Sequence, residues 1–275
     1  MRNAKAPDFA FRFLPPYTPA MRVMTYNLFE GGAGRIDPIA EVVRWAAADV
    51  LLVQEALDEA LLHHLADRLH MDRFIARNPR SDQGAVAILS RLPLLEAVNH
   101  TPLDGRITRA ALHAVVATPA GGQLPIVALH LHARETLADE QVRLTELPAI
   151  LDIAARFEDR PHLLAGDFNS NHPDQIIALQ QLRPKARERI APQNNLHPRT
   201  LVERLLQQGY IDAHARGRRP EDFGKSFTTA FPATRVDFIF LSPQLEPALR
   251  SCEVFTPPLA TYASDHYPVV ADLAV

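Results

Sequence analysis

The sequence predicts an α/β layered domain with mixed sheets. Short apolar runs of strand length alternate with segments of helical period along the chain. The spacing around 84–131, which holds the strand-like stretches "GAVAILS" (84–90) and "QLPIVALHLH" (123–132), is hairpin-like and suggests that the sheets are mixed, not purely parallel. Over 275 residues, 47% are hydrophobic and 22% charged, which suits a globular chain able to bury its own core.

The elements follow in order. "MRVMTYNL" (21–28) is a strand rich in apolar and aromatic residues. "DPIAEVVRWAAA" (37–48) is a helix, with Asp37 as N-cap and Pro38 at the first helical position. "DVLLVQEA" (49–56) is a buried strand and "DEALLHHLADRLH" (58–70) a helix carrying surface histidines His63, His64 and His70. After the strands at 84–90 and 123–132 comes a long helix, 136–157, where Thr136 and Asp139 have capping-box spacing. "PHLLAG" (161–166), "TRVDFIFLS" (234–242) and "YPVVADLAV" (267–275) are strands, and "LLAGDFNSN" (163–171) runs off its strand into a turn with Gly166 at the bend. No repeat or long linker divides the chain. Residues 1–20 read as an irregular Pro-rich leader and 21–275 as one domain.

Composition excludes several classes. One cysteine, Cys252, rules out an internal disulfide. A net charge of −3 is not that of a strongly basic nucleic-acid binder, and no run is long enough to span a bilayer. The N-terminal stretch lacks the continuous apolar core of a signal peptide, so the expected location is cytoplasmic. One segment departs from the average: residues 181–220 hold nine Lys/Arg against three Asp/Glu, a local charge of +6. It reads equally as a solvated insertion or as a phosphate-facing flap.

Polar residues recur where strands end: Asn27, Glu55, His130 and His132, Asp167 and Asn169, Asp237 (beside Arg235, a candidate ion-pair partner), and Asp265 with His266. Strand ends hold side chains rigidly. Asn, Glu and Asp offer the oxygen ligands that hard cations such as Mg²⁺ prefer, and Asn27, Glu55 and Asp265 form a candidate metal site. "GGAG" (31–34) lacks the lysine of a P-loop and is expected to be a flexible loop beside that site. No HExxH pair or cysteine cluster suggests zinc.

Seven stretches, "TYNL" (25–28), "VQE" (53–55), "AILSRLPL" (87–94), "LHLHA" (129–133), "GDFN" (166–169), "RVDFIF" (235–240) and "SDHYPV" (264–269), together resemble the endonuclease/exonuclease/phosphatase superfamily, in its order. The resemblance covers almost all of 21–275. It implies a DNase I-like four-layered α/β sandwich, two mixed sheets face to face with helices outside. It also implies a Mg²⁺-dependent phosphodiesterase, with Mn²⁺ as an alternative ion. By matching motif to position, Asn27, Glu55 and Asp265 would hold the metal. Asp167 would orient or deprotonate water, or hold a second metal, while Asn169 would donate to a phosphate oxygen. His266 would contact the phosphate with its tautomer fixed by Asp237. His130 would assist the leaving group or the phosphate. Arg109 is a candidate substrate-binding residue. His132 is another, since two strand residues two apart share a face. The middle strand reads "ALHLHA" where many nucleases have Asn-Thr-His-Leu, and the His-Leu-His-Ala wording is similar to the sphingomyelinase branch. Nucleic acid is the first expected substrate, a phospholipid or other small phosphodiester the second, and a non-catalytic binding domain the last. "FTTAFP" (227–232) is the apolar loop a lipid enzyme would expose.

Overall fold

The computed structural model describes residues 20–101 and 105–275. The expected leader, apart from Ala20, lies outside the described residues. The first sheet contains β1 (Ala20–Asn27), β2 (Val50–Gln54), β3 (Asp72–Arg77), β4 (Ala85–Ser90), β11 (Leu249–Val254) and β12 (Val269–Ala274), in the order β11-β12-β1-β2-β4-β3. The second contains β5 (Leu94–Asn99), β6 (Ala110–Ala117), β7 (Gln123–His130), β8 (Leu163–Asp167), β9 (Ile211–Asp212) and β10 (Asp237–Leu241), in the order β5-β6-β7-β8-β10-β9. Each sheet has one parallel pair, β1 with β2 and β7 with β8, and all other neighbours are antiparallel. A helix makes the crossover in both cases: α1 (Ile36–Ala46) and α3 (Leu137–Ala154).

Side-chain alternation builds the layers. Ile126 and Leu163 point between the sheets, where they meet Val23, Leu52 and Ile88. Their neighbours Val127 and Leu164 point outward and pack with Ile150 of α3 and Leu201 of α5 (Thr200–Gln207). On the other side Met24 and Leu51 pack beneath α1, α2 (Glu59–Leu69) and α6 (Ala260–Ala263). Each such buried aliphatic side chain contributes about 1.5–3 kcal/mol. The outcome is helix, sheet, sheet, helix, with both central sheets mixed as expected.

Local signals hold in part. Thr136 and Asp139 form the capping box of α3, and Asp58 caps α2 by accepting from Leu61 N–H at 3.0 Å. Asp37 is not an N-cap. Helix α1 starts at Ile36 behind Arg35, so Asp37 sits inside the first turn, where its charge still suits the helix dipole. Gly166 makes no bend either. It lies within β8, opposite Leu129 of β7 and Phe238 of β10, at φ +150°. A Cβ there would lie 1.9 Å from the Leu129 carbonyl oxygen. The turn begins only after Asp167. Gly166→Ala is therefore expected to destabilise the fold by more than about 2 kcal/mol, read as a lowered denaturant midpoint.

At the edge of the second sheet, His100 Nε2 lies 2.6 Å from His113 Nδ1. Burial, then the neighbouring His113 and Arg156, lower the His100 pKa from its ordinary 6.5 to about 4. The unfolded chain therefore binds this proton more readily, and the stability His100 confers above pH 6.5 is lost as the pH falls towards 4. Urea unfolding of wild type and His100→Gln at pH 7 and pH 5 is expected to show the larger loss on acidification in wild type.

Candidate active site

The C-terminal ends of both parallel pairs open at the same end of the sandwich, and the polar residues gather there. Asn27 ends β1 and Glu55 follows β2, while His130 ends β7 and Asp167 ends β8. Asp237 begins β10, and Asp265 and His266 precede β12. In register, Asp167 faces His130 across the parallel pair and Asp237 across the antiparallel one. The sheet itself thus sets three chemical groups in a row.

Asp167 is the hub. Its Oδ2 accepts from Asn27 Nδ2 at 3.1 Å and its Oδ1 from Asn169 N–H at 3.0 Å. His130 Nε2 lies 3.6 Å and His266 Nε2 3.9 Å from Oδ2. Burial and the charge of Asp237 push the Asp167 carboxyl up to about 7, although His266 and two hydrogen bonds oppose them. His266 Nδ1 pairs with Asp237 Oδ2 at 2.8 Å. Burial alone would lower this imidazole. The charge and hydrogen bond of Asp237, with the charges of Asp167 and Asp265, outweigh it and raise the pKa to about 10. His266 is accordingly a cation near neutral pH. His130 goes the other way: burial, with Arg109 and His266 nearby, holds it neutral.

Two backbone features aim the side chains. Asn169 adopts φ +52°, a conformation asparagine tolerates. Glu55 adopts φ +57°, an outlier for its residue type and a mark of local strain. Its Oε2 accepts from Glu30 N–H at 2.6 Å, and its Oε1 lies 3.7 Å from Arg109. Glu30 opens the turn through "GGAG", where Gly31 and Gly32 are buried. The second half of that stretch, Ala33 and Gly34, is exposed.

The cleft has a volume of about 290 Å³, and Asn27, Glu55, Arg109, Asp167, Asn169, Asp265 and His266 line it. Asp237 and His130 lie behind that surface, 0% and 1% exposed. His130 touches Arg109 Nη1 at 2.9 Å and backs the cleft wall. His132 is not brought to the cleft. Strand β7 stops at His130, which breaks the shared face, and the His132 ring pairs with Asp139 at 3.0 Å. Arg235 pairs with Asp212, which leaves Asp237 to His266.

Sequence reasoning missed other residues here. Ser170 is fully buried and donates to Glu140 Oε1 at 2.8 Å, the oxygen that also accepts from Leu201 N–H. Glu140 pairs with Arg143 at 2.6 Å, and Arg143 Nη1 donates to the His132 and Arg134 carbonyls. This network ties the turn after β8 to α3. No local signal marks it, because the partners are about thirty positions apart in sequence. The basic segment supplies Arg183 and Arg189 to the cleft wall through α4 (Pro184–Ile190). Its +6 charge was the one visible sign.

Ligand atoms of Asp167, Asp237 and His266 lie within 4.8 Å of one another, close enough to hold a metal ion. Asp265 offers a second opening, since its buried Oδ1 accepts no hydrogen bond. No described helix is long and apolar enough to cross a membrane.

Two facing mixed sheets with outer helices and this crevice define the DNase I-like fold. The chain belongs to the endonuclease/exonuclease/phosphatase family, whose sequence profile matches residues 24–266. Members of this family are generally hydrolases, and they often use divalent metals. Similar solved structures include an endonuclease/exonuclease/phosphatase from Beutenbergia cavernae (19% identity, 92% of this chain and 71% of that one, TM-score 0.64). A humanized D. rerio TDP2 is similar at 20% identity over 92% of this chain and 98% of that one, TM-score 0.62. An AP endonuclease from Archaeoglobus fulgidus is similar at 16% identity over 93% and 100%, TM-score 0.65. No curated protein matches the sequence. Ser170→Ala is expected to cost about 1–2 kcal/mol, measured by urea unfolding, because it leaves the buried Glu140 short of a donor.

Proposed function

We propose that this chain is a phosphodiesterase that hydrolyses its substrate with the help of a bound Mg²⁺ or Mn²⁺. The observation that carries the reading is Asp167. A carboxylate whose proton affinity sits near neutrality lies in one cleft between a cationic imidazole and two amides. A phosphodiester is anionic and repels hydroxide, so its hydrolysis needs a base for water and positive charge where the phosphorane forms.

The donor set suits a hard cation. Glu55, Asp265 and the Asn27 side chain are oxygen donors on one wall, and the Asp265 carboxylate keeps an oxygen without a hydrogen bond. Such an ion would neutralise phosphate charge and steady the departing oxygen. The protein groups do the rest. Asp167, held by Asn27 and Asn169, takes a proton from the attacking water. His266, fixed by Asp237, donates Nε2–H to a non-bridging phosphate oxygen. Arg109 adds charge beside Glu55. The water oxygen bonds to phosphorus, the ester P–O bond breaks, and the alkoxide leaves with a proton from solvent. His130 positions Asp167 and Arg109. Nucleic acid is the first substrate class, supported by Arg183 of the basic segment, which lines the cleft.

The test is p-nitrophenol release from bis-p-nitrophenyl phosphate. Activity is expected only with added Mg²⁺ or Mn²⁺ and is lost in EDTA. Asp167→Asn and His266→Ala are expected to lower kcat by roughly 10²–10⁴-fold with unchanged circular dichroism. Equal rates in all three proteins would refute the proposal.

A further inference from the structure

Beyond the reactive groups, the cleft continues along a wall made by residues 171–198, where three polar atoms are buried without a hydrogen-bond partner: Asn171 Oδ1, Arg183 Nε and His197 Nε2. Asn171 is only 4% exposed. Its Nδ2 donates to the Pro198 carbonyl at 3.1 Å, which turns Oδ1 away as an unused acceptor. The Arg183 guanidinium lies 4.9 Å from the Phe227 ring centre, and that ring lies 4.6 Å from the His266 ring. Arg183 is therefore one aromatic ring away from the proposed phosphate contact. Arg189, the other cleft arginine, is spent on Glu135 at 3.0 Å. His197 is held neutral near pH 7, because burial and then Arg199 lower it to about 4. Leu182, Ala186 and Ile190, buried together in one small apolar cluster, line the same wall.

Buried polar atoms without partners are uncommon in folded proteins, and each destabilises the fold until something bonds to it. Three on one apolar wall, next to a reactive centre, describe a subsite. An acceptor and a donor above apolar side chains suit a flat ring that carries both N–H and C=O on its edge. The whole cleft, reactive groups included, measures about 290 Å³, at the small end of ligand pockets, so the wall has room for no more than one such unit.

We propose that the 171–198 wall is a subsite for one ester arm of the phosphodiester, a compact planar ring that donates a hydrogen bond to Asn171 Oδ1 and accepts one from Arg183 Nε, as a pyrimidine base does. This rests on the phosphodiesterase reading above. Asn171 and Arg183 are then specificity-determining residues.

The probes are thymidine 5′-(p-nitrophenyl) phosphate and methyl p-nitrophenyl phosphate, assayed with Mg²⁺, and their products thymidine 5′-phosphate and methyl phosphate, titrated by calorimetry. Wild type is expected to favour the thymidine ester in kcat/KM, and to bind its product more tightly, by roughly tenfold, the value of one buried hydrogen bond. Asn171→Ala and Arg183→Gln are each expected to bring both ratios towards one. Should Asn171→Ala fail to fold, the Arg183→Gln ratio decides. Equal affinity for the two products overturns the subsite whatever the rates. Tighter binding of thymidine 5′-phosphate with no hydrolysis of either ester keeps the subsite and overturns the hydrolytic reading instead.

Discussion

Two carboxylates set directly opposite each other on neighbouring antiparallel strands are the constraint around which this molecule is organised. Asp167 and Asp237 are register partners in β8 and β10, and both are buried. Like charges so placed repel, and burial forbids both from staying ionised alone. The fold answers with one imidazole. His266 reaches in from the other sheet, bonding Asp237 through Nδ1 and facing Asp167 through Nε2. The inter-sheet packing has to hold these strands still, because a shift of one residue would turn an acid from the site into the core. The same tension that would destabilise an ordinary sheet sets Asp167 near neutrality.

The basic segment shows how one composition signal divides between roles. Arg199 donates to the His172, Pro173 and Gln175 carbonyls, Arg216 pairs with Glu246, and Arg218 bonds the Cys252 carbonyl. These residues tie the insertion down. Only Arg183 and Arg189 line the cleft, and Arg189 has a carboxylate partner. Neither a solvated insertion nor a uniform phosphate-facing flap describes it. It is a braced wall with one guanidinium turned inward.

The central strands other than β6 were legible because burial on both faces leaves nearly continuous apolar runs such as "VLLV" and "LLAG", whereas the alanine-rich "AALHAVVA" of β6, equally buried, carries a histidine and gave no such signal. The edge strands were not. "DRFIAR", "LLEAVN" and "LRSCEV" are half exposed and mix charges with apolar residues, so they lack that signal. Strand-end polar residues were readable as a set because motif order follows chain order. What chain order could not carry was depth. It does not say that His130 is buried beside Asp167, or that His132 lies beyond the end of β7. Gly166 looked like a hinge because glycine serves turns and close strand contacts alike, and only the Leu129 carbonyl 1.9 Å from its missing Cβ distinguishes them.

Strand β12 lies between β1 and β11, with Ala20 paired to Ala274. The first and last described strands are thus neighbours, and the loop they close is nearly the whole chain. Closing so long a loop costs conformational entropy, a cost that grows only slowly with loop length. His266 arrives with that strand. Asp167 and Asp237 lie in the other sheet and have their imidazole counter-charge only once that strand is seated. Strand order thus couples closure of the first sheet to the pairing of His266 with the two carboxylates of the second.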